Sequence, residues 1–198
     1  MCGRFVQFSS IRTLESHFTL KEIVAVPKPN YNIAPTQTVA VIHKMPRTSL
    51  DAMQWGLVPF WAKDTSDGSR MINARAETAA TKPSFRVAFK KRRCLVPADG
   101  FFEWTGEKGR KQPWYFRLPG GKPFAFAGLY DLWQDKLEKE PDRIHRSATI
   151  LTTAASRSVR DIHHRMPVIL APGTYDDWLD PALQDPEIVN RILVQGRI

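Results

Sequence analysis

The sequence predicts an α+β fold: a curled, mostly antiparallel, barrel-like β core with short flanking helices. Fifteen prolines among 198 residues disfavour long helices and favour strands joined by loops. Roughly seven or eight short apolar stretches bounded by turn-forming residues are typical of strands, and few segments have helical periodicity. The length is sufficient to bury a core and no repeat or linker interrupts it, so we expect a single domain over residues 1–198.

Strands and one capped helix are predicted in the first part of the chain. Ser10 is a good N-cap for the helix that follows it. The apolar face of that helix carries Ile11, Leu14 and Phe18. A further helix is predicted from Glu77 to about residue 89. The strands of this part are expected at residues 3–6, 31–36 and 39–42, and from residue 53 into an aromatic corner that ends at residue 61.

The second half is predicted to contain more strands than helices. Residues 95–104 are predicted as strand, turn and strand, and the charged residues 108–111 as the tip of a hairpin. Further strands are expected at residues 114–118, 124–130, 148–152 and 168–170, with a long charged loop at 134–146. Short helices are expected at residues 156–162, from a Thr174 cap through Leu179, and at 187–194.

The charge balance favours a polyanionic partner, above all a nucleic acid. Lys and Arg number 29 against 20 acidic residues, which gives a net charge of +9 and a pI near 9.8. An ordinary soluble basic protein is the equal alternative. The densest positive run, residues 90–93, is either a solvated helix end, which the helix dipole favours, or a contact to backbone phosphates.

Several other classes of protein do not fit the sequence. No stretch approaches the roughly 18 apolar residues of a membrane span, and no signal-peptide core is expected at the amino terminus. Two cysteines cannot form a disulfide scaffold, which favours a reducing cytoplasmic, nucleoid-associated location. The cysteines and the five histidines lack metal-binding spacing, and no glycine-rich phosphate loop or nucleophile elbow occurs. We therefore expect no metal and no cofactor.

Cys2 is the candidate nucleophile. If Met1 is removed, Cys2 carries a free α-amine and a thiol on adjacent carbons, which can condense with an aldehyde and close a five-membered thiazolidine. The ordinary pKa values of these groups are near neutrality, about 7.7–8 for the amine and 8.5 for the thiol, so a modest local field could activate either one. A cysteine at position 2 usually has no function. The other cysteine, Cys94, lies in an apolar run typical of buried structure.

Two further features carry chemistry only in a particular environment. Glu103 lies between Phe102 and Trp104. If Glu103 is buried there, its pKa rises and it can exchange protons near neutrality, whereas on an edge strand it would point outward. Phe60 and Trp61 follow a proline at a strand end and could stack on bases, although core filling is the commoner use of such residues.

Taken together, these segments resemble the SRAP family, the SOS response-associated peptidases. The resemblance covers about residues 1–170 in the family's order, and the segments are highly specific as a set. They are Met1-Cys2-Gly3-Arg4-Phe5, Tyr31-Asn32-Ile33-Ala34-Pro35, Trp55-Gly56-Leu57-Val58-Pro59, Ile72-Asn73-Ala74-Arg75-Ala76-Glu77-Thr78, Arg93-Cys94-Leu95-Val96-Pro97-Ala98-Asp99-Gly100-Phe101-Phe102-Glu103-Trp104, Leu151-Thr152-Thr153-Ala154 and Ile162-His163-His164-Arg165-Met166-Pro167.

The resemblance implies a function that composition alone only suggests. Members of the family bind single-stranded DNA and sense abasic sites, whose opened sugar exposes an aldehyde. The mature amino-terminal cysteine forms a stable thiazolidine with this aldehyde, and the resulting DNA–protein crosslink shields the lesion from strand cleavage. By this resemblance Cys2 is the crosslinking nucleophile, and the peptidase activity in the family name describes only the removal of Met1.

The resemblance also implies roles for the other site residues. Asn73 would hold the opened sugar through hydrogen bonds, and Glu103 would shuttle protons during Schiff-base formation and ring closure. His163 matches the catalytic histidine of the family and would assist sugar opening and crosslink reversal. The adjacent His164 is the alternative, but His163 keeps the spacing of the family's motif.

The DNA contacts implied by the resemblance involve four residues. Arg4, Arg75 and Thr152 are expected to contact phosphates, and Trp61 is expected at the edge of the DNA path. We expect a monomer whose partner is single-stranded DNA containing abasic sites, with no membrane association. Two alternatives remain: a thiol peptidase with an amino-terminal nucleophile, and a non-covalent reader of single strands.

Overall fold

Strands form most of the framework, as the proline-rich sequence predicts. The computed structural model describes residues 2–107, 109–135 and 144–196. The strands are β1 (Arg4–Gln7), β2 (Glu22–Ile23), β3 (Asn30–Ile33), β4 (Thr38–Lys44), β5 (Thr48–Trp55), β6 (Asn73–Arg75), β7 (Arg93–Ala98), β8 (Gly100–Thr105), β9 (Gln112–Phe116), β10 (Phe124–Gln134), β11 (Ile144–Ala154), β12 (Arg165–Pro167) and β13 (Ile169–Leu170). The helices are α1 (Ile11–Phe18), α2 (Ala76–Ala79), α3 (Arg86–Lys91), α4 (Tyr175–Leu179) and α5 (Pro186–Gln195), with 3₁₀ turns at Ser66–Arg70, Pro119–Gly121 and Pro172–Thr174.

Strands of the larger sheet close into a barrel. The order in this sheet is β12-β11-β10-β7-β4-β5-β2, and a parallel pairing of β11 with β5 joins two strands that are distant in this order. The other pairings around the barrel are antiparallel. A second, antiparallel sheet, β3-β1-β8-β9, carries the amino terminus. The predicted fold class, an α+β protein with a curled, mostly antiparallel, barrel-like core and short helices, is therefore confirmed.

Strand β4 shows why a barrel strand can be a continuous apolar run and does not alternate between apolar and polar residues. Val39 and Val41 belong to one buried cluster, which also holds Trp55, whereas Ala40 and Ile42 belong to a second cluster under the helices. Successive side chains of a strand point to opposite faces, so both faces of β4 are buried. Each fully buried valine or isoleucine stabilises the fold by roughly 1.5–3 kcal/mol, and the barrel wall is consequently a rigid support for what it carries.

The helices agree with the sequence mainly at their starts. Ser10 caps α1 as predicted, accepting a hydrogen bond from the Thr13 backbone N–H at 3.2 Å. Leu14 and Phe18 form the buried face of α1, whereas Ile11 is 43% exposed and lies off that face. Helices α4 and α5 lie where the sequence predicts helices. Local capping and periodicity therefore predict where a helix begins better than which residues it buries.

Three details of the predicted helices are wrong. The helix predicted from Glu77 to residue 89 is divided into α2 and α3, because Pro83 has no N–H to donate and its ring opposes a continuous helix. The segment 156–162 forms hydrogen-bonded turns instead of a helix. Thr174, the predicted cap of α4, donates its hydroxyl to the Ala171 carbonyl and does not cap the helix.

The connections between strands also bear on the predictions. The predicted hairpin tip at 108–111 lies between β8 and β9, which pair with each other. Of the predicted loop at 134–146, residues 136–143 lie outside the described part of the chain, and the flanking residues extend β10 and β11. Among the described residues, no helix is both long and apolar enough to cross a membrane.

Gly56, directly after β5, provides a test of the close packing at the barrel rim. Its φ is +132°, and a Cβ at this position would overlap the carbonyl oxygen of Gly68. We expect Gly56→Ala to lower the free energy of unfolding by about 3 kcal/mol or more, measured by urea denaturation. Gly109→Ala is the matched control, because its φ is +92° but nothing lies within 4 Å of the added Cβ. The control should lose only about 1 kcal/mol, and equal losses would contradict the packing argument.

Candidate active site

Cys2 lies just before β1 of the small sheet and is fully buried. Strand β1 pairs with β8, with Arg4 opposite Phe102, so Cys2 lies next to the part of β8 that carries Glu103. The Cys2 thiol donates to the Arg4 carbonyl across an Sγ–O distance of 3.9 Å. Burial raises the pKa of the Cys2 thiol well above its ordinary value, and the charge of Glu103 adds to this effect. The thiol is therefore neutral at physiological pH.

Asn73 ties the amino terminus to the barrel sheet. Strand β6 pairs in parallel with β11, with Asn73 opposite Ile150. The Asn73 Nδ2 donates to the Cys2 backbone carbonyl at 2.8 Å. Its Oδ1 is buried, and no hydrogen-bond donor among the described residues reaches it. A buried acceptor without a donor costs about 1–3 kcal/mol, so Asn73 presents an unused acceptor beside Cys2.

Glu103 is a buried carboxyl group next to Cys2. It lies on β8, opposite Trp114 of β9, and is only 4% exposed. Burial raises the pKa of Glu103, and the positive charge of His164 opposes this shift. The sequence left open whether Glu103 is buried or points outward from an edge strand; the structure has it buried. Its charge acts on the Cys2 thiol, so the two side chains are within electrostatic reach of each other.

Two stacked imidazoles precede β12. The rings of His163 and His164 are 4.5 Å apart and inclined by 21°. The His163 Nδ1 lies 3.0 Å from the backbone N–H of Arg165 and 2.9 Å from its carbonyl oxygen. The N–H donates only to an unprotonated Nδ1 and the carbonyl accepts only from a protonated one, so the two contacts alternate with the protonation of Nδ1. Burial lowers the pKa of His163 below 6.5, and the Arg165 carbonyl opposes this shift.

The predicted preference for His163 over His164 stays a prediction. The backbone of Arg165 holds the His163 ring in a defined orientation. His164 is exposed, yet its charge acts on Glu103. Both rings therefore lie near the candidate site, and the His163 ring is the one that the Arg165 backbone contacts.

An ion pair fixes the strand that follows these histidines. Arg165 binds both carboxylate oxygens of Glu77, at 2.7 and 2.9 Å. Its Nη2 also donates to the Thr152 carbonyl at 2.6 Å, and the Thr152 hydroxyl lies 3.3 Å away. The Arg165 guanidinium therefore connects α2, β11 and β12. The backbone of the same residue orients His163. Sequence reasoning did not identify Glu77 and Arg165 as a pair.

The predicted DNA contacts lie in different environments. Arg75 is exposed and Arg4 is half-buried on β1, so both cations are accessible to solvent. Trp61 is 50% exposed, in a turn whose backbone is held by β10 through the Phe60 N–H and Asp131, at 3.1 Å. The segment that leads to Trp61 also bonds to β11, through the Val58 N–H and the Ser147 hydroxyl at 2.8 Å.

Thr152 is the one predicted phosphate contact that is not accessible. It is 1% exposed, and its hydroxyl points to the Ala74 carbonyl at 3.4 Å and to Arg165. As folded, Thr152 supports Arg165. A direct contact between its hydroxyl and a phosphate would require β11 and β6 to separate at this point.

The site defines a class of protein: a small β-barrel with a cysteine at position 2 that is buried beside an amide, a carboxyl group and paired histidines. The chain belongs to the SOS response associated peptidase (SRAP) family, whose sequence profile matches residues 1–197. This confirms the resemblance that the motifs indicate.

Curated relatives and solved structures agree with this assignment. The chain is 39% identical to the abasic site processing protein YoqW of Bacillus subtilis over 197 residues, 98% of this chain and 86% of the relative. It is 31% identical to the abasic site processing protein YedK of Escherichia coli over 196 residues, 94% of this chain and 83% of the relative. A crystal structure of a protein from Bacteroides thetaiotaomicron superposes with a TM-score of 0.82 and 30% identity, over 96% of this chain and 86% of that one.

The donors for a metal ion are not gathered at this site. Among the described residues, no three side chains of the His, Cys, Asp or Glu type form a group that could hold a metal ion. Cys94, the other thiol, is buried inside the barrel, as the apolar run around it predicts. The chemistry available here is that of an amine, a thiol, a carboxyl group, an amide and imidazoles.

The Glu77–Arg165 pair makes a testable contribution to stability. We expect Glu77→Gln to lower the free energy of unfolding by about 1 kcal/mol or less, since the pair is bidentate but the Glu77 side chain is 48% exposed. Asp67→Asn is the control, because its pair with Arg70 is long, at 3.5 Å, and fully solvated. Urea denaturation at low and high salt measures both. A larger loss in the control would contradict the assigned role of the Glu77 pair.

Proposed function

We propose that this protein recognises abasic sites in single-stranded DNA and captures them covalently through Cys2, after removal of Met1, as a thiazolidine. The observation that supports this most is the burial of Cys2 beside Glu103, with Asn73 bonded to the Cys2 carbonyl. The names of the relatives, abasic site processing proteins, support the choice of substrate. The net charge of +9 supports a polyanionic partner.

The proposed reaction begins at the Cys2 nitrogen. Its lone pair attacks the aldehyde carbon of the opened sugar to give a carbinolamine, and loss of water leaves a C=N bond. The Cys2 sulfur then adds to the carbon of that bond, its proton moves to nitrogen, and the five-membered ring closes. One water molecule leaves in total, and neither an oxidant nor a reductant is required. Ring closure is intramolecular, so the effective concentration of the thiol is high.

Glu103 is proposed as the proton shuttle of this sequence. It accepts the proton that the amine loses on attack and returns it to the departing hydroxyl, which leaves as water. Because burial raises its pKa, Glu103 exchanges protons closer to neutrality than an ordinary carboxyl group does. The same burial keeps the Cys2 thiol protonated, which favours attack by the amine before the thiol.

Asn73 and His163 are proposed to act on the sugar. The buried Oδ1 of Asn73 can accept a hydrogen bond from a sugar hydroxyl, while its Nδ2 keeps the Cys2 carbonyl in place. When its Nδ1 accepts from the Arg165 N–H, neutral His163 carries its proton on Nε2 and can donate it to the ring oxygen as the sugar opens. The reverse transfers assist reversal of the crosslink.

The strand itself is proposed to be held by side chains around this pocket. Arg4 and Arg75 are available for phosphates, and Trp61 offers an exposed ring at the edge of the path. In this proposal the only peptide bond that is broken is the one that releases Met1, which accounts for the peptidase of the family name.

Crosslinking by cysteine variants tests the proposal. The protein is mixed with a single strand that carries one abasic site, heated in denaturant and separated on a gel. We expect a heat-stable adduct with the wild type and with Cys94→Ala, and none with Cys2→Ala, because Cys94 is buried in the barrel and is not amino-terminal. Thermal unfolding establishes that each variant is folded. An adduct that persists in folded Cys2→Ala would refute the proposal.

The pH profile of crosslinking tests the role of Glu103. Below its raised pKa Glu103 is protonated and cannot accept the proton of the amine, so the wild-type rate should fall more steeply with decreasing pH than deprotonation of the amine alone requires. Glu103→Gln should slow crosslinking by roughly 10²–10⁴-fold and remove this additional steepness. Glu107→Gln, which removes one carboxylate from an exposed position, is the control and should retain the wild-type profile. An unchanged profile in Glu103→Gln would exclude the shuttle.

A further inference from the structure

The densest positive run of the sequence, residues 90–93, is divided by the fold. Arg92 pairs with the buried carboxylate of Asp131 at 3.0 Å. Arg93 is 3% exposed, and its guanidinium donates to backbone carbonyls, including those of Phe89 and Trp178 at 2.9 and 2.6 Å. Half of the run is therefore internal structure, which neither of the two sequence interpretations anticipates.

The other half lines a groove on the protein surface. Lys90 and Lys91 are exposed, and together with Arg86 from the start of α3 they line a cavity of about 570 Å³. The remaining lining residues are Ala80, Thr81 and Val87, so no acidic side chain faces this groove. Within the described parts of the chain, none of the three cations forms an ion pair with a carboxylate.

Unpaired cations in a concave site favour an extended polyanion. Three positive charges around this volume exceed what a single phosphate group requires, whereas a nucleic-acid strand presents several phosphates in succession. Elsewhere on the protein, guanidinium groups such as those of Arg92 and Arg165 have carboxylate partners. The absence of such partners leaves the groove cations available to an outside ligand.

One edge of the groove lies close to the candidate site along the chain. Arg75 ends β6, α2 follows at the next residue, and Ala80 at the groove follows α2 directly. Only the four residues of α2 separate Arg75 from Ala80, so the two positions lie within about 10 Å of each other along the helix. Each strand of a duplex has one phosphate per about 3.4 Å of helix axis, and a single strand can extend further, so a few nucleotides are enough to bridge this gap. Arg75 is itself exposed and has been assigned to a phosphate in the proposed function.

We propose that the groove lined by Arg86, Lys90 and Lys91 holds the phosphate backbone of the bound DNA strand a few nucleotides away from the lesion. This proposal rests on the proposed function in one respect, that the partner is single-stranded DNA. The groove adds affinity and register to the strand without reading its bases, since backbone contacts carry no sequence information. Its contribution is confined to strands long enough to reach it.

The test measures binding of intact, lesion-free strands to the full chain by fluorescence anisotropy at several salt concentrations. The variant Lys90→Gln/Lys91→Gln should lower the slope of log Kd against log salt by about 1.4 for a long strand, since each cation releases about 0.7 counterion from single-stranded DNA. A short strand of about five nucleotides, centred on the candidate site, should show the wild-type slope. Lys21→Gln/Arg47→Gln removes two exposed cations elsewhere and is the matched control.

The outcomes separate the groove from the capture reaction. An unchanged slope with the long strand, or an equal reduction in the control variant, would overturn the groove proposal. If the double variant fails to fold, Arg86→Gln is measured in its place, and the slope of log Kd against log salt should fall by about 0.7. Crosslinking of a short abasic strand is unaffected in the groove variants. If the wild type forms no crosslink with that strand, the capture proposal fails. The salt slopes still show whether the groove binds the DNA backbone.

Discussion

The hydrogen bond between the Asn73 amide and the Cys2 carbonyl is the contact on which the candidate site depends. It joins two sheets, since Cys2 leads into β1 of the small sheet and Asn73 begins β6 beside the barrel. Both ends of this contact are held by further bonds. The Trp55 indole donates to the Ile72 carbonyl next to Asn73 at 2.9 Å, and the Asp99 carboxylate accepts from the Phe8 N–H at the other end of β1. Packing of Cys2 and Phe5 in the same buried cluster as Trp55 supports this position of the amino terminus against the barrel.

Burial acts in the same direction on the groups around Cys2. It raises the pKa of the Cys2 thiol and of Glu103, and it lowers the pKa of His163, so the neutral form of each is favoured. The protein as a whole carries a net charge of +9. A positive exterior attracts a polyanion over a distance, whereas a pocket that favours neutral groups permits protons to move without separating charges. The two properties come from different residues and can be altered separately.

Features set by near neighbours could be predicted from the sequence. The Ser10 cap depends on a residue three positions away, and the continuous apolar run of β4 shows by itself that both faces are buried. The burial of Glu103 could be predicted only as a condition, because β8 is a central strand only through its pairing with β1 and β9. The break between α2 and α3 has a local cause, Pro83, which the prediction of one helix from Glu77 to residue 89 does not take into account.

Features that depend on distant pairing could not be predicted. Glu77 and Arg165 are 88 residues apart, and they meet only because β6 and β12 flank β11. The run at residues 90–93 indicates a charged surface, yet Arg93 is covered because the chain returns with Trp178, and Arg92 because Asp131 lies opposite. The burial of the Thr152 hydroxyl also results from distant pairing, since it lies against the Ala74 carbonyl of β6. A sequence motif does not show which residues will be buried in this way.

The most direct test of the central claim is the intact mass of the purified protein before and after incubation with single-stranded DNA that contains one abasic site. The account predicts a protein that lacks the mass of Met1, and then an adduct equal to protein plus DNA less one water. A protein that retains Met1, or that lacks Met1 and gains no such mass, would contradict it.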